Sequence, residues 1–304
     1  LFLPIFFLKR SPEEFMATEA SRSAITISPN PPVFDLPVLV ARDEGLFEQA
    51  GIELRYSADY DDRHPSERDV LLRLKEAHFE QRRADVFNVC EWGSIDRLER
   101  GTRGGKIAAW RAAVTAQAIL SYDEELQEPR DLANVPVGVN EFTGSHYTTL
   151  QLLEGAIARD QIIVEHAGSP EQRHRALRDR QSRAVTLMEP FISLALKEGA
   201  HLVGVTFYRG SEVISPEVGT EQRTAYLRAI DAAVDRINAD FARYKHYIVA
   251  PAKGALKPEE LSDHYVRYTH VRPYPLERFT QAYEWMQSWG LSRGENEHAT
   301  LVIG

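Results

Sequence analysis

The stretch VFDLPVLVARDEGLFEQAGIELRY, Val33 to Tyr56, decides how the chain is read. Leu36, Leu39, Val40 and Phe47 recur at roughly helical spacing. Gly45 and Gly51 stop or turn the backbone, and Ile52, Leu54 and Tyr56 then alternate as in a half-buried strand. The segment predicts a loop, a helix, a glycine-terminated turn and a strand.

Just before it, SAITIS (Ser23 to Ser28) alternates as a first strand. Ser28-Pro29-Asn30-Pro31-Pro32 is a stiff loop, because proline fixes its own backbone and disfavours helix at the preceding residue. Beyond Tyr56, SERDVLLRLKEAHFEQRRA predicts an amphipathic helix capped by Ser66, with Val70, Leu71, Leu74 and Phe79 as its apolar positions. ADVFNV is a short strand, CEWGSIDRLERG a loop running into a helix, and KIAAWRAAV and AQAILSY two consecutive strands. In the middle third the strands VPVGVN, IIVEHA, AVTLME and HLVGVTF alternate with the helices TGSHYTTLQLLEGAI, SPEQRHRALRDR and PFISLALKEG. A long helix runs from Glu221 to Tyr244, and LERFTQAYEWMQSWG is helical again. Strands and helices alternating with short connections predict parallel α/β layers.

At 304 residues the chain is longer than one hydrophobic core usually serves, which predicts two lobes. Its 43% hydrophobic and 27% charged residues are those of an ordinary soluble globular protein. A net charge of -9, with no basic stripe, argues against a nucleic-acid partner. The single cysteine, Cys90, excludes an internal disulfide. The histidines include no metal-spaced pair and there is no P-loop, GxGxxG or GxSxG, so neither a metal nor a cofactor is expected. The opening LFLPIFFLKR places its charges after the apolar run, the reverse of a secretory signal, and the run is too short to span a bilayer. Met16 reads as the natural start, which favours the cytoplasm; if residues 1-15 are a truncated leader, the protein is periplasmic or membrane-anchored.

The Val33–Tyr56 stretch resembles the opening of the periplasmic-binding-protein-like (type II) proteins of the sulfonate, nitrate and thiamin-pyrimidine-precursor group, which are ABC-type solute-binding proteins. In that group a helix reading PLYVAKEKGLFEKAGLDVEL follows the first strand. Three more stretches resemble the group. VGVNEFTGSHYTTLQLL (Val137 to Leu153) lies where it has GVPxGS, and DVFNVCEWGSIDRL (Asp85 to Leu98) where it has ADVAxxGxxPxLxA. AVTLMEPFISLALKEGAHLV (Ala184 to Val203) matches GxVDAxxxxEPxxxxAxxxGxxxV at Glu189, Pro190 and Gly199, but has Arg183-Ala184 in place of Asp-Ala. The resemblance covers residues 23 to 295. It implies an α/β, two-lobed type II fold, each lobe a mostly parallel sheet flanked by helices, with two hinge crossings near Arg111–Thr115 and Thr206–Arg209. On that layout 1-22 is a disordered or non-native tail, 23-112 begins lobe 1, 113-207 is lobe 2, and 208-304 returns to lobe 1 and ends in helices.

Candidate ligand contacts follow from the same stretches. The start of the helix at Thr143, Gly144 and Ser145 offers free N–H groups and the positive end of a macrodipole to an anion, although Ser and Thr also sit at helix starts as plain caps. His146 adjoins that turn. Glu189 ends a strand, either as a ligand contact or as a cap for the next helix. Cys90, Glu91 and Trp92 fall at the carboxyl end of a strand, where open α/β sheets place ligand contacts. Cys90 is a nucleophile candidate or a small buried apolar residue, and Trp92 a pocket wall or core. Asn30, Phe34 and Asp35 in the first loop face the cleft on this layout, or else serve turn and cap chemistry. Tyr208 joins Phe34 and Trp92 as a cleft aromatic, which together suggest a ligand with a ring-shaped or apolar body and a polar end.

The resemblance implies two functions. The leading one is the solute-binding component of an ABC-type importer, which closes two lobes on a small organic, anionic or aromatic ligand and meets a permease. The alternative is a cytoplasmic enzyme on the same fold, a desulfinase-like hydrolase or lyase or a thiamin-pyrimidine-precursor relative, using Cys90, His146 or Glu189. The aromatic sulfinate desulfinase carries its catalytic cysteine in the first loop, where this chain has Ser28-Pro29-Asn30-Pro31-Pro32. The fungal thiamin-pyrimidine synthase has a cysteine-rich motif that is absent here.

Overall fold

The computed structural model describes residues 23–60, 67–292, 294 and 296–303. The tail at 1–22 and the positions of His64 and the Ser66 cap lie outside the described residues.

Strand β1 (Ser23–Ile27) leads through the proline loop into α1 (Pro32–Asp43). Val33 to Ala41 are all buried, so α1 is a helix wrapped on every side rather than a surface helix. Proline at its first turn loses nothing, because that N–H has no helical acceptor. Gly45, at φ 69°, ends the turn and opens the short α2 (Leu46–Gln49), so Phe47 belongs to this second helix; β2 (Ile52–Tyr56) follows. The helix expected from Ser66 is shorter: a 3-10 turn at Val70–Leu72, capped by Asp69, precedes α3 (Leu74–Glu80). Strand β3 (Val86–Cys90) runs without a loop into α4 (Glu91–Arg100).

The two strands expected at 106–122 are one, β4 (Lys106–Ser121). Then come β5 (Pro136–Val139), α5 (Gly144–Glu154), β6 (Ile163–His166), α6 (Pro170–Arg178), β7 (Ala184–Leu187) and α7 (Phe191–Lys197). Strand β8 (His201–Ile214) is twice the expected length. The long helix from Glu221 breaks at Asp240 into α8 (Thr220–Ala239) and α9 (Phe241–Val249), because Asp240 caps the Arg243 N–H. Strand β9 (Val266–Tyr268), α10 (Leu276–Ser288) and α11 (His298–Leu301) complete the chain.

The sheet order is β2-β1-β3-β8-β4-β7-β5-β6, with β9 also on β4. Parallel triplets stand at each end, β2-β1-β3 and β7-β5-β6, and the antiparallel β4–β8 ribbon joins them. The ribbon pairs Lys106 with Ile214 at one end and Ser121 with His201 at the other. Its register shifts between Trp110 and Val114, which frees Arg111 from regular pairing. Apolar side chains form a large core cluster and a smaller one around Ile119, Leu132, Val137, Leu153 and Val203. These are two lobes joined by two crossing strands, each lobe mostly parallel, as expected for the type II fold. No described helix is long and apolar enough to cross a membrane.

Candidate functional site

A cleft of about 540 Å³ opens between the two triplets, within the range of small-molecule sites. Its floor is the kinked ribbon. At the register shift Arg111 is 1% exposed, and its guanidinium lies 4.2 Å from the centre of the Phe34 ring and 5.7 Å from that of Tyr208. Gly210, opposite the kink, makes room for it: a Cβ there would stand 2.6 Å from the Arg111 Cζ and 2.3 Å from the Val89 carbonyl. Arg111 Nη1 donates to Asn88 Oδ1 at 3.1 Å, while its Nη2 has no partner among the described residues.

A directional network holds this floor. Asp35 accepts from the Asn30 N–H (2.7 Å), the Tyr60 hydroxyl (2.9 Å) and Asn88 Nδ2 (2.5 Å). Asn88 Oδ1 in turn accepts from Asn30 Nδ2 (2.6 Å) and Arg111. Lys75 on α3 donates to Asn30 Oδ1 (3.0 Å) and to the Asn88 carbonyl (3.1 Å). Burial pushes the Asp35 carboxyl up to about 6 against these hydrogen bonds, and lowers the Lys75 ammonium. Glu212, buried on β8, is raised to about 7 by burial and by the Asp35 charge.

The opposite wall comes from α5, α6 and the end of β7. Arg173 on α6 is 2% exposed; it donates from Nε to the Thr186 carbonyl (2.7 Å) and from Nη1 to the Gly168 carbonyl (2.5 Å). Among the described residues no carboxylate touches it, and burial lowers it to about 9. Helix α5 begins at Gly144 with no side-chain cap, so the N–H groups of its first turn have no helical acceptor. Gly144 packs directly on Tyr208, since a Cβ there would stand 2.7 Å from the Tyr208 hydroxyl. The Thr143 and Ser145 hydroxyls serve the local turn, bonding the Asn140 carbonyl (2.7 Å) and the Asn140 N–H (3.0 Å) respectively. Across the mouth, Arg73 Nη2 donates to the Glu141 carbonyl at 2.8 Å and Lys253 pairs with Glu171 at 3.3 Å.

Of the residues singled out from sequence, Asn30, Phe34, Cys90, Thr143, Gly144, Ser145, Glu189 and Tyr208 line the cleft. Four do not. Asp35 lies behind the floor, where its acceptors are all used. Glu91 turns away into an ion pair with Arg278 and accepts from the Tyr274 hydroxyl (3.2 Å), because α4 starts at that residue without the expected loop. Trp92 is core, packed on Tyr147, Tyr208 and Trp285. His146 is buried, its Nδ1 accepting the Phe142 N–H (3.1 Å), and burial lowers it to about 4. Burial raises the Cys90 thiol, which keeps it protonated. Glu189 is both cap and wall: its carboxylate takes the Ser193 hydroxyl (2.6 Å) and N–H (3.1 Å), and burial pushes it up to about 7.

Sequence reasoning missed the cations Arg73, Lys75, Arg111 and Arg173 that line the cleft. One signal was present for Arg111, a lone charge inside the apolar run KIAAWRAAVTAQAIL. The others sit in amphipathic patterns where a cation normally marks a solvated face. No group of three His, Cys, Asp or Glu among the described residues is placed to hold a metal.

No family model matches the chain, and no curated protein matches it significantly by sequence. Solved structures do match it in fold. The periplasmic aliphatic sulphonate binding protein SsuA from Escherichia coli superposes with a TM-score of 0.70 at 14% identity, over 93% of this chain and 98% of that one. The alkanesulfonate-binding protein SsuA from Xanthomonas axonopodis pv. citri, bound to MOPS, gives 0.67 at 15% identity, over 90% and 95%. The desulfurization enzyme DSZB gives 0.60 at 15% identity, over 90% and 94%. The chain therefore has the periplasmic-binding-protein fold, which hosts both a binder and an enzyme.

Proposed function

We propose that the chain binds one small organic anion between its lobes without transforming it, as the solute-binding component of an ABC-type importer or a stand-alone relative. The observation that carries this reading is the pair Arg111 and Arg173, buried on the floor and the wall of one cleft and unpaired with any carboxylate among the described residues. A buried guanidinium held only by amide and carbonyl oxygens is costly unless a ligand brings the counter-charge. Phe34, Tyr208, Met188 and Phe191 offer apolar and aromatic surface to the rest of such a ligand. The likeness to sulfonate-binding proteins supports the same reading.

Ligand binding shifts the lobes toward the closed arrangement by as much as the ligand prefers it, with the kinked ribbon as the hinge. As an importer component the chain would work outside the cytoplasm and present its closed form to a permease. The enzyme reading rests on Glu189, a cleft carboxyl raised to about 7 and so suited to proton transfer. Cys90 weighs against it, because a protonated, buried thiol is a poor nucleophile.

A thermal-shift screen of sulfonates, sulfinates, aromatic carboxylates and pyrimidines, with mass spectrometry of each mixture, tests this. An anion that raises the melting temperature and is recovered unchanged is the expected result. Consumption of the ligand overturns it in favour of the enzyme, and the same assay on Cys90→Ser and Glu189→Gln then identifies the reacting group.

A further inference from the structure

We infer that the ligand of this cleft carries a doubly charged head, a tetrahedral phosphoryl dianion rather than a sulfonate of the same shape. The inference rests on the anion-binding reading above and deepens it. The charge on the walls is its basis. Arg111, Arg173, Lys75 and Arg73 all line the cleft, and none has a carboxylate within ion-pair distance among the described residues. Arg111 Nη2 and Arg73 Nη1 are buried with no hydrogen-bond partner. By contrast, Arg97 is neutralised by Glu76 (3.2 Å) and Asp96 (2.8 Å).

The cations share one cleft. Tyr208 touches the first residue of α5 and lies beside the Arg111 guanidinium. Arg173 is anchored on the Thr186 carbonyl, and the Thr186 hydroxyl meets that of Thr149 on α5 (2.5 Å). Two guanidinium groups and a helix N-terminus therefore line the same cleft, with Lys75 on its floor. Burial holds Glu189 and Glu212 up at about 7, so each is only part-ionised at neutral pH. Among the other carboxyls lining the cleft, Asp59 is exposed, Glu171 pairs with Lys253 and Glu76 with Arg97; behind the floor Asp35, raised to about 6, offsets part of this charge at neutral pH. One negative charge leaves a surplus of buried cation in the closed cleft, whereas two come closer to balance.

Matched pairs of ligands test this on the intact protein. Phenylphosphonate and benzenesulfonate, and ethylphosphonate and ethanesulfonate, share a skeleton and a tetrahedral head but differ in charge. Phosphonates lose their second proton near neutral pH, as phosphate esters do, and sulfonates stay singly charged. By titration calorimetry at about pH 8 the phosphonate of at least one pair binds about tenfold or more tightly than its partner. At about pH 5.5, where both heads are monoanions, that preference falls to within about threefold. Arg173→Gln, in a preparation that melts like the parent, narrows the preference at about pH 8. Equal affinities, or a tighter sulfonate, at about pH 8 overturn the dianion and leave the anion-binding reading standing. If neither member of either pair binds, or if a ligand is consumed, the anion-binding reading fails and takes the inference with it.

Discussion

Replacing Asp35 with Asn sets two effects of the buried network against each other. The carboxylate is acceptor-only: one oxygen takes the Asn30 N–H and the Tyr60 hydroxyl, and the other takes Asn88 Nδ2. An amide there has one acceptor and must turn its NH2 toward another donor. Either it faces Asn88 Nδ2, or Asn88 flips and presents its own NH2 to Asn30 and Arg111. A buried donor without an acceptor costs about 1–3 kcal/mol. Against this, Asn cannot ionise. Burial raises Asp35 from 3.8 to about 6, so the folded state holds the proton more firmly than the unfolded chain does. Wild-type stability from this group is therefore intact below about pH 4, falls as pH rises through the window between about 4 and about 6, and is lower by about 3 kcal/mol above it. The variant lacks that loss. Urea denaturation across pH is expected to find Asp35→Asn destabilised near about pH 4.5 and close to, or above, wild type near about pH 8. Where Asn88 flips, anion affinity moves the other way from simple charge: Arg111 loses the Asn88 acceptor that orients it, and binding weakens about tenfold. A variant that binds the anion more tightly refutes the network argument, and a stability difference that does not change with pH refutes the buried-carboxyl argument.

Three further outcomes are expected. Gly144→Ala places a methyl 2.7 Å from the Tyr208 hydroxyl, so calorimetry and ligand titration should find about 1–3 kcal/mol of lost stability and weaker binding as Tyr208 is pushed into the cleft. Glu154 on α5 accepts the indole N–H groups of both Trp285 (2.6 Å) and Trp289 (2.8 Å) on the α10 side. Glu154→Gln strands one of them; melting is expected to drop by the equivalent of about 1 kcal/mol with a shifted tryptophan emission, and an unchanged spectrum would contradict that geometry. Native Cys90 should react with a disulfide thiol reagent at about pH 7.5 far more slowly than it does in denaturant, and more slowly still with ligand; reaction as fast as a free thiol would mean that the cleft thiol is neither buried nor protonated.

The chain's local chemistry foretold much of this architecture. The elements from β5 to α7 lie where the alternation of apolar runs places them, and the turns at Gly45 and Gly51 adopt the positive φ that glycine permits. What escaped prediction depends on distant partners. The strand β4 reads as two because the pattern of KIAAWRAAV slips at the register shift beside Arg111, which only the β8 pairing reveals. The helix expected at 66–84 is trimmed where Asp69 caps Leu71 and Arg73 turns to the Glu67 and Glu141 carbonyls. Glu91 and Trp92 were placed correctly along the chain but not in space, since a helix that starts immediately rotates them out of the cleft. For Arg173 no local signal exists: RHRALR is an ordinary amphipathic pattern, and its burial is decided by β7 and α5.

The way the ribbon is threaded orders the assembly of the molecule. Residues 122–200 leave the ribbon after Ser121 and rejoin it at His201, and those two residues are partners in register. That excursion is a closed loop in space, carrying the triplet β7-β5-β6 and helices α5 to α7. The flanking triplet is different, because β3 and β4 share no ladder and β8 lies between them. Each triplet has its parallel partners close in sequence, and β8, which follows β4 in the chain, joins the first triplet to the ribbon. The cleft is complete only once β8 brings Tyr208 and the empty space at Gly210 between the two triplets.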